Sequence, residues 1–252
     1  MVTLNLNELY QIESGASKKK IYRFKNKNTK NILVDFSYSF NDYLSFINVH
    51  KFLLNINISI PKIFDTSDVE KLILMEDFGN DRYDKIINNY DVKQLLFNAI
   101  DSLIAIQNFD KPLIRDGFKQ YNYLIFREEI IEFIDFYLPL LKTTSEQMEE
   151  FLHIWSLEFK KLNFNWNSFV HKDFELSNLM YIPNKENHLK CGILDFQNAF
   201  IGFSGWDLFS LLENPRIDFD EKYNQELIEY FYNNTNQNIS YKDFLTQYFF
   251  LN

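Results

Sequence analysis

Cysteine is almost missing from this chain. Cys191 stands alone, which excludes an intrachain disulfide and any multi-cysteine metal site and fits a reducing compartment. Glycine and proline are also sparse, at 6 and 5 in 252 residues, which argues against linker-rich or low-complexity architecture. Basic residues are in deficit, 26 Lys and Arg against 35 Asp and Glu. The resulting net charge of −9 disfavours nonspecific adhesion to nucleic acid or to anionic membrane. No run of about 18 apolar residues escapes interruption by charge, so no membrane span is expected. The opening MVTLNLNELYQIESG has neither the basic nor the apolar region of a signal peptide, and a cytoplasmic protein is expected. What the chain has in quantity is aromatic side chains, 27 Phe and 15 Tyr, within a 46% hydrophobic composition. A chain of this length and composition can bury a real core, as one domain or as two lobes around a cleft.

The hydrophobic pattern changes character along the chain. KKIYRFK and NILVDFS, within residues 19 to 36, read as a hairpin closed by NKNTK. Phe40, Tyr43, Leu44, Ile47, Lys51 and Leu54 then follow helical spacing, with Ser39 as N-cap and Asp42 three residues later. SIPKIF and the continuous apolar run KLILMEDFG add two strands, the second ending at Gly79. The order is β-β-α-β-β. From Asp91 onward helices dominate, at Leu96 to Ile104, at 127–138 and at 145–162. NSFV, NLMYI and CGILDF interrupt as short strands before helical spacing returns at WDLFSLL, 220–233 and 240–251. The expected fold is α+β with two lobes, a small β-rich N-lobe over residues 1–79 and a larger, mainly helical C-lobe over residues 80–252. A nucleotide cleft between such lobes is a natural use of the arrangement.

The C-lobe strands carry the residues with chemical potential. VHKDFELSNLMY spans 170 to 181 and fits the kinase spacing HxDxxxxN, with His171, Asp173 and Asn178. Phosphoryl transfer needs a carboxylate to orient and deprotonate the attacking hydroxyl, and oxygen ligands to hold Mg²⁺ against the phosphates. Asp173 suits the first task and Asn178 the second. Asp195 of CGILDFQN closes an apolar strand, where it would project into a cleft as a second metal ligand. Taken singly, either aspartate could be an ordinary turn former and His171 an ordinary packed loop residue. Order, spacing and context together favour the catalytic reading.

FVHKDFELSNLMY and GILDFQNAFIGFSGWDLFSLL resemble the aminoglycoside/choline-kinase-like phosphotransferase family, whose fold is protein-kinase-like. More narrowly, DFQNA followed by GWDLFSLL resembles the bacterial branch of anomeric kinases for N-acetylmuramate and N-acetylglucosamine, which serve cell-wall recycling. SGASKKKIYRF, LILMEDFG and EEIIEFIDFYL extend the likeness over most of the chain. The resemblance implies an ATP- and Mg²⁺-dependent small-molecule kinase, expected to be a monomer, acting on an amino-sugar hydroxyl, the anomeric one in that branch. Kinases for aminoglycosides, choline or another metabolite, or a silent nucleotide-binding pseudokinase, stay open beside it.

The same resemblance implies the remaining site residues. Ser14, Gly15, Ala16 and Ser17 would form the loop over the phosphates, and Glu76, Asp77 and Phe78 the lobe connector that meets the adenine through its backbone. Asp207 would anchor the catalytic loop together with His171, although an aspartate opening a helix also suits plain capping. In one respect the chain departs from many kinases: ILVDF ends the third strand with Asp35 where they carry a phosphate-binding lysine. Arg23, or one of Lys18, Lys19 and Lys20, is the expected substitute, with KKK otherwise reading as a solvated run. Members of the branch continue past YKDFLTQYFFLN with further helices, so the C-lobe is expected to lack its terminal ones.

Overall fold

A computed structural model describes residues 8–12, 18–25, 30–109, 117–162, 166–214, 217 and 219–250. Its first part is a five-stranded antiparallel sheet of β1 (Leu9–Ile12), β2 (Lys20–Phe24), β3 (Asn31–Asp35), β4 (Ile63–Ser67) and β5 (Leu72–Glu76), in the order β1-β2-β3-β5-β4. The expected hairpin forms with Lys20 opposite Asp35 and Ile21 opposite Val34. β1 is an additional strand that sequence reading left out, because LYQI is short and lacks a clean alternation; its Leu9 is buried while Tyr10 and Gln11 are exposed. β4 starts later than SIPKIF suggests. Pro61 has no N–H to offer a ladder, its carbonyl lies 2.9 Å from His50 Nε2, and Ser59 instead receives Ile193 N–H at 2.8 Å. Residues 59–62 therefore tie the sheet to the rest of the molecule.

Between β3 and β4, α1 (Phe40–Leu53) begins at Ser39, whose hydroxyl accepts the Asp42 N–H at 3.2 Å. Its buried face carries Tyr43, Phe46, Val49, His50, Phe52 and Leu53. Phe46 stacks on Phe196 with ring centroids 4.6 Å apart, and Ser45 Oγ donates to the Gln197 carbonyl at 2.5 Å. The helix thus rests directly on the turn that follows Asp195.

After β5 the chain turns through Gly79, whose φ of +95° favours a residue without Cβ. A single turn, α2 (Tyr83–Ile86), leads into α3 (Val92–Gln107), the buried spine of the helical part. Leu95, Leu96, Ala99, Ile100, Leu103 and Ile106 are all within 1% of complete burial. Polar groups on α3 find backbone partners: Ser102 Oγ donates to the His188 carbonyl and Gln107 Nε2 to that of Phe169. α4 (Tyr123–Phe136) and α5 (Ser145–Lys161) pair through Phe126 and Phe159, stacked at 4.3 Å. Two antiparallel ribbons follow, β6 (Ser168–Val170) with β9 (Phe200–Gly202), and β7 (Leu179–Tyr181) with β8 (Cys191–Ile193). β9 lies in AFIGF, a run the sequence pattern left unassigned. α6 (Trp206–Leu212), α7 (Glu221–Asn234) and α8 (Tyr241–Phe250) complete the helical part. Two lobes, one β-rich and one mainly helical, result. No helix among the described residues is long and apolar enough to cross a membrane.

Phe46 is only 3% exposed and joins the lobes through Phe36 as well as Phe196. Phe46→Ala is expected to lower the unfolding free energy by about 3–5 kcal/mol in urea titrations, the range for removing a buried phenyl group.

Candidate active site

The fold explains why a histidine, an aspartate and an asparagine share one short segment. β6 delivers the chain to His171, and β7 takes it away after Asn178, so the intervening loop is held at both ends by ribbons. The loop's own geometry is set by Asp207 in the first turn of α6. Its Oδ2 accepts the His171 N–H at 2.7 Å and its Oδ1 the Lys172 N–H at 3.0 Å. Asp207 does not cap its own helix through the N-cap position, which Gly205 occupies. Between those two amides and Asp173, Lys172 adopts φ +80°, a left-handed conformation that costs a non-glycine residue about 1–2 kcal/mol. The His171 ring is fully buried and its Nε2 lies 2.9 Å from the Leu194 carbonyl, which fixes Nε2 as the protonated nitrogen.

Asp173 faces the cleft. Asn198 Nδ2 donates to its Oδ2 at 2.9 Å, so one carboxylate oxygen is oriented and the other is left for an incoming hydroxyl. Asn178 closes the loop by donating Nδ2 to the Asp173 carbonyl at 2.8 Å, which leaves its Oδ1 as the group that can face a cation. Leu194 N–H donates to the Asn178 carbonyl at 2.9 Å, locking this segment to the next. Asp195 follows at once, also left-handed at φ +67°, with Phe196 fully buried beneath it. Asp173, Asn178 and Asp195 line one cleft of about 1070 Å³ between the sheet and the helical part.

Oxygen donors of this kind fit a hard divalent cation. One carboxylate and one amide oxygen supply a partial set that substrate phosphates and water would complete, as Mg²⁺ prefers. Among the described residues no group of three or more His, Cys, Asp or Glu side chains could hold a metal alone.

The connector residues also line the cleft. Glu76 ends β5, where its N–H donates to the Lys62 carbonyl at 2.8 Å, and the Phe78 ring packs where a Cβ on Gly192 would stand 2.7 Å away. Arg23 reaches the cleft but holds the connector: Nη2 donates to Asp77 Oδ1 and the Gly79 carbonyl, both at 2.8 Å, and Nη1 to Asn80 Oδ1 at 2.6 Å. Ser14, Gly15, Ala16 and Ser17 lie outside the described residues.

One feature escaped sequence reading: Asn198 stands in the DFQNA motif, but nothing in one sequence says that its amide meets Asp173. Lys19 is one of the four candidate cations, in a run that otherwise reads as solvated, and it is 6% exposed and ion-paired to Asp195. Strand alternation was the available signal, since Lys19, Ile21 and Arg23 share the cleft face while Lys18 and Lys20 are exposed. The same alternation corrects the reading of β3. Ile32 and Val34 face the cleft, and Asp35 instead accepts the Ser37 N–H at 2.8 Å.

The electrostatics follow from burial. Desolvation pulls the Lys19 ammonium down to about 8, against the opposing pull of Asp173 and Asp42. It pushes Asp207 up to about 7 despite the two amide donors, and His171 down to about 4. Cys191, fully buried beside Tyr83, has its thiol pushed up to about 12 and carries no nucleophilic role.

Because His171 is neutral when folded and ordinarily titrates near 6.5, the unfolded chain binds more protons between about 4 and 6.5. Its contribution to stability therefore falls as pH drops through that window. Asp207 acts in the opposite sense between 3.8 and 7, so the histidine term is isolated by subtraction. His171→Gln keeps a donor for the Leu194 carbonyl and is expected to lose stability less steeply than wild type from pH 6.5 to 4, measured as urea midpoints.

Comparisons with known proteins bear on the family and the fold. The N-acetylmuramate/N-acetylglucosamine kinase of Caulobacter vibrioides is 28% identical over 169 residues, 63% of this chain and 46% of that protein. The enzyme of the same name from Pseudomonas aeruginosa is 25% identical over 218 residues, 85% of this chain and 62% of that protein. The chain thus spans between about half and three-fifths of the length of these curated relatives. Among solved structures, ADP-bound aminoglycoside phosphotransferase APH(2'')-Ib superposes with a TM-score of 0.67 at 16% identity, covering 92% of this chain and 78% of that one. The GDP complex of wild-type aminoglycoside 2'-phosphotransferase-IIIa gives 0.66 at 15% identity, with coverages of 96% and 81%. These likenesses show a protein-kinase-like fold. Residues 8–237 match the APH model, and the chain belongs to the phosphotransferase enzyme family.

Proposed function

We propose that the chain transfers the γ-phosphoryl group of ATP to a hydroxyl of an amino sugar, the anomeric hydroxyl of N-acetylmuramate or N-acetylglucosamine. The reading is carried by the convergence of Asp173, Asn178 and Asp195 in one cleft, with Asn198 orienting the Asp173 carboxylate. The names of the curated relatives support the choice of acceptor. Residues 1–79 would hold the nucleotide and residues 80–252 the catalytic loop and acceptor.

Asp173 orients the acceptor hydroxyl and takes its proton as the acceptor oxygen bonds to the γ-phosphorus. The bond from that phosphorus to the β-phosphate oxygen breaks, and ADP leaves. An anomeric hydroxyl is more acidic than an ordinary alcohol, so a carboxylate is an adequate base. Asn178 Oδ1 and the Asp195 carboxylate would hold Mg²⁺, whose charge, when it is bound, offsets that of the phosphates. Glu76 and Phe78 would meet the base through the connector backbone, and Ser14, Gly15, Ala16 and Ser17 would form the loop over the phosphates.

The test is ATP consumption with Mg²⁺ across N-acetylmuramate, N-acetylglucosamine, choline and several aminoglycosides, with the product's phosphorylated position identified. Turnover confined to N-acetyl amino sugars, giving a 1-phosphate, is expected. Turnover on a polycationic drug or choline alone would reassign the acceptor, and nucleotide binding without any product would point to a binding protein. Asp173→Asn is expected to retain nucleotide and lose about 10²–10⁴-fold in kcat, the usual contribution of a positioned base. Asp195→Asn is expected to raise the Mg²⁺ concentration needed for half-maximal rate. Near wild-type values in either variant would reject that residue's role.

A further inference from the structure

β3 offers no cation to the cleft, since its inward positions are Ile32 and Val34. A nucleotide brings several negative charges into a site that already contains Asp173 and Asp195, so some side chain must balance them. Among the described residues, four cationic ones line the cleft: Lys19, Arg23, Arg82 and Lys85. Arg23 is engaged by Asp77, Asn80 and the Gly79 carbonyl, all connector groups that substrate has no reason to displace. Arg82 makes a paired contact with Asp84, Nε to Oδ1 at 2.6 Å and Nη2 to Oδ2 at 2.8 Å. Lys85 is 68% exposed with its Nζ 3.9 Å from Asp84. Lys19 differs from all three in its partner. It is 7% exposed at the side chain and pairs with Asp195, the carboxylate that a metal ion would claim.

Resting on the kinase reading above, we propose that Lys19 is the side chain that binds the nucleotide phosphates, supplied from the start of β2 instead of from β3. Its position follows from register. Ile21 lies opposite Val34, and Lys19 is two residues before Ile21 on the same face, so it enters the cleft beside the strand end where β3 has no lysine. Lys19 offsets the charge of the partly exposed Asp195 carboxylate. With Asp195 engaged by a divalent cation, the Lys19 ammonium would be available to the phosphates, and the cation would supply the remaining charge balance.

The test compares binding of Mg·ADP and of adenosine to the full chain by calorimetry, with GDP and guanosine run in parallel. Lys19→Met is expected to weaken Mg·ADP by about tenfold or more, the scale of losing one charge-assisted hydrogen bond, with adenosine affinity unchanged. Unchanged adenosine affinity also shows that the variant is folded. Lys19→Arg should recover most of the loss, and Lys20→Met, on the exposed face, should match wild type. Equal Mg·ADP affinity in Lys19→Met and wild type would overturn the proposal, as would tighter binding, which would mean that Lys19 merely competes with the metal for Asp195. Wild-type protein that binds adenosine and Mg·ADP equally would overturn it without any variant. Wild-type protein that binds no nucleoside or nucleotide at all would instead reject the kinase reading on which the proposal rests.

Discussion

The carboxylate of Asp207 is the fixed point of the cleft. Two backbone amides, of His171 and Lys172, converge on it, and their shared acceptor makes a tight loop energetically tolerable where ladder partners are missing. Without that acceptor the left-handed turn at Lys172 would lose the two hydrogen bonds that hold it. The cost is a fully buried carboxylate, raised toward neutrality by desolvation and held by hydrogen bonds from the loop it organises. β9 makes the arrangement possible. By pairing with β6 it brings the start of α6 to the place where the catalytic loop begins.

From that point order passes along a chain of contacts. His171 reaches across to the Leu194 carbonyl, Leu194 N–H returns to Asn178, and the next residue is Asp195. The two segments that carry acidic groups are therefore one hydrogen-bonded unit, not two loops that meet by chance. Phe196 inserts under Asp195 and meets Phe46 of α1, so the sheet-bearing lobe packs against the metal-ligand candidate itself. A displacement of α1 would be felt at Asp195 through contact between rigid aromatic rings and through the Ser45 to Gln197 hydrogen bond. Phe78 over Gly192 supplies a second tie, at the connector.

Much of this was legible in the sequence, for physical reasons. The spacing of His171, Asp173 and Asn178 and the position of Asp195 after an apolar run reflect short-range geometry, since a ribbon and a turn fix which residues emerge together. The Ser39 cap and the α3 stripe are similarly local. What was not legible depends on long-range partners. β1 is a strand because β2 offers it an edge, as LYQI has little pattern of its own. Ser59 and Pro61 leave the expected strand because Ile193 and His50 recruit them. Asn198 acquires meaning only when the fold brings it to Asp173, 25 positions away in sequence. Lys19 is instructive because it is one of four candidate cations, and the alternation that points it inward, and Lys18 and Lys20 outward, was present in the sequence.

The chemistry and the choice of acceptor are built by different parts of the molecule. On the proposed reading, Asp173, Asn178, Asp195 and their supports would serve any hydroxyl, because they would act on the proton, the metal and the phosphates. Selection must come from side chains beyond them. Asn214 and Ile217 line the cleft with Asn198, so an acceptor held there would meet amide and apolar groups, and its choice would rest on their shape and hydrogen bonding.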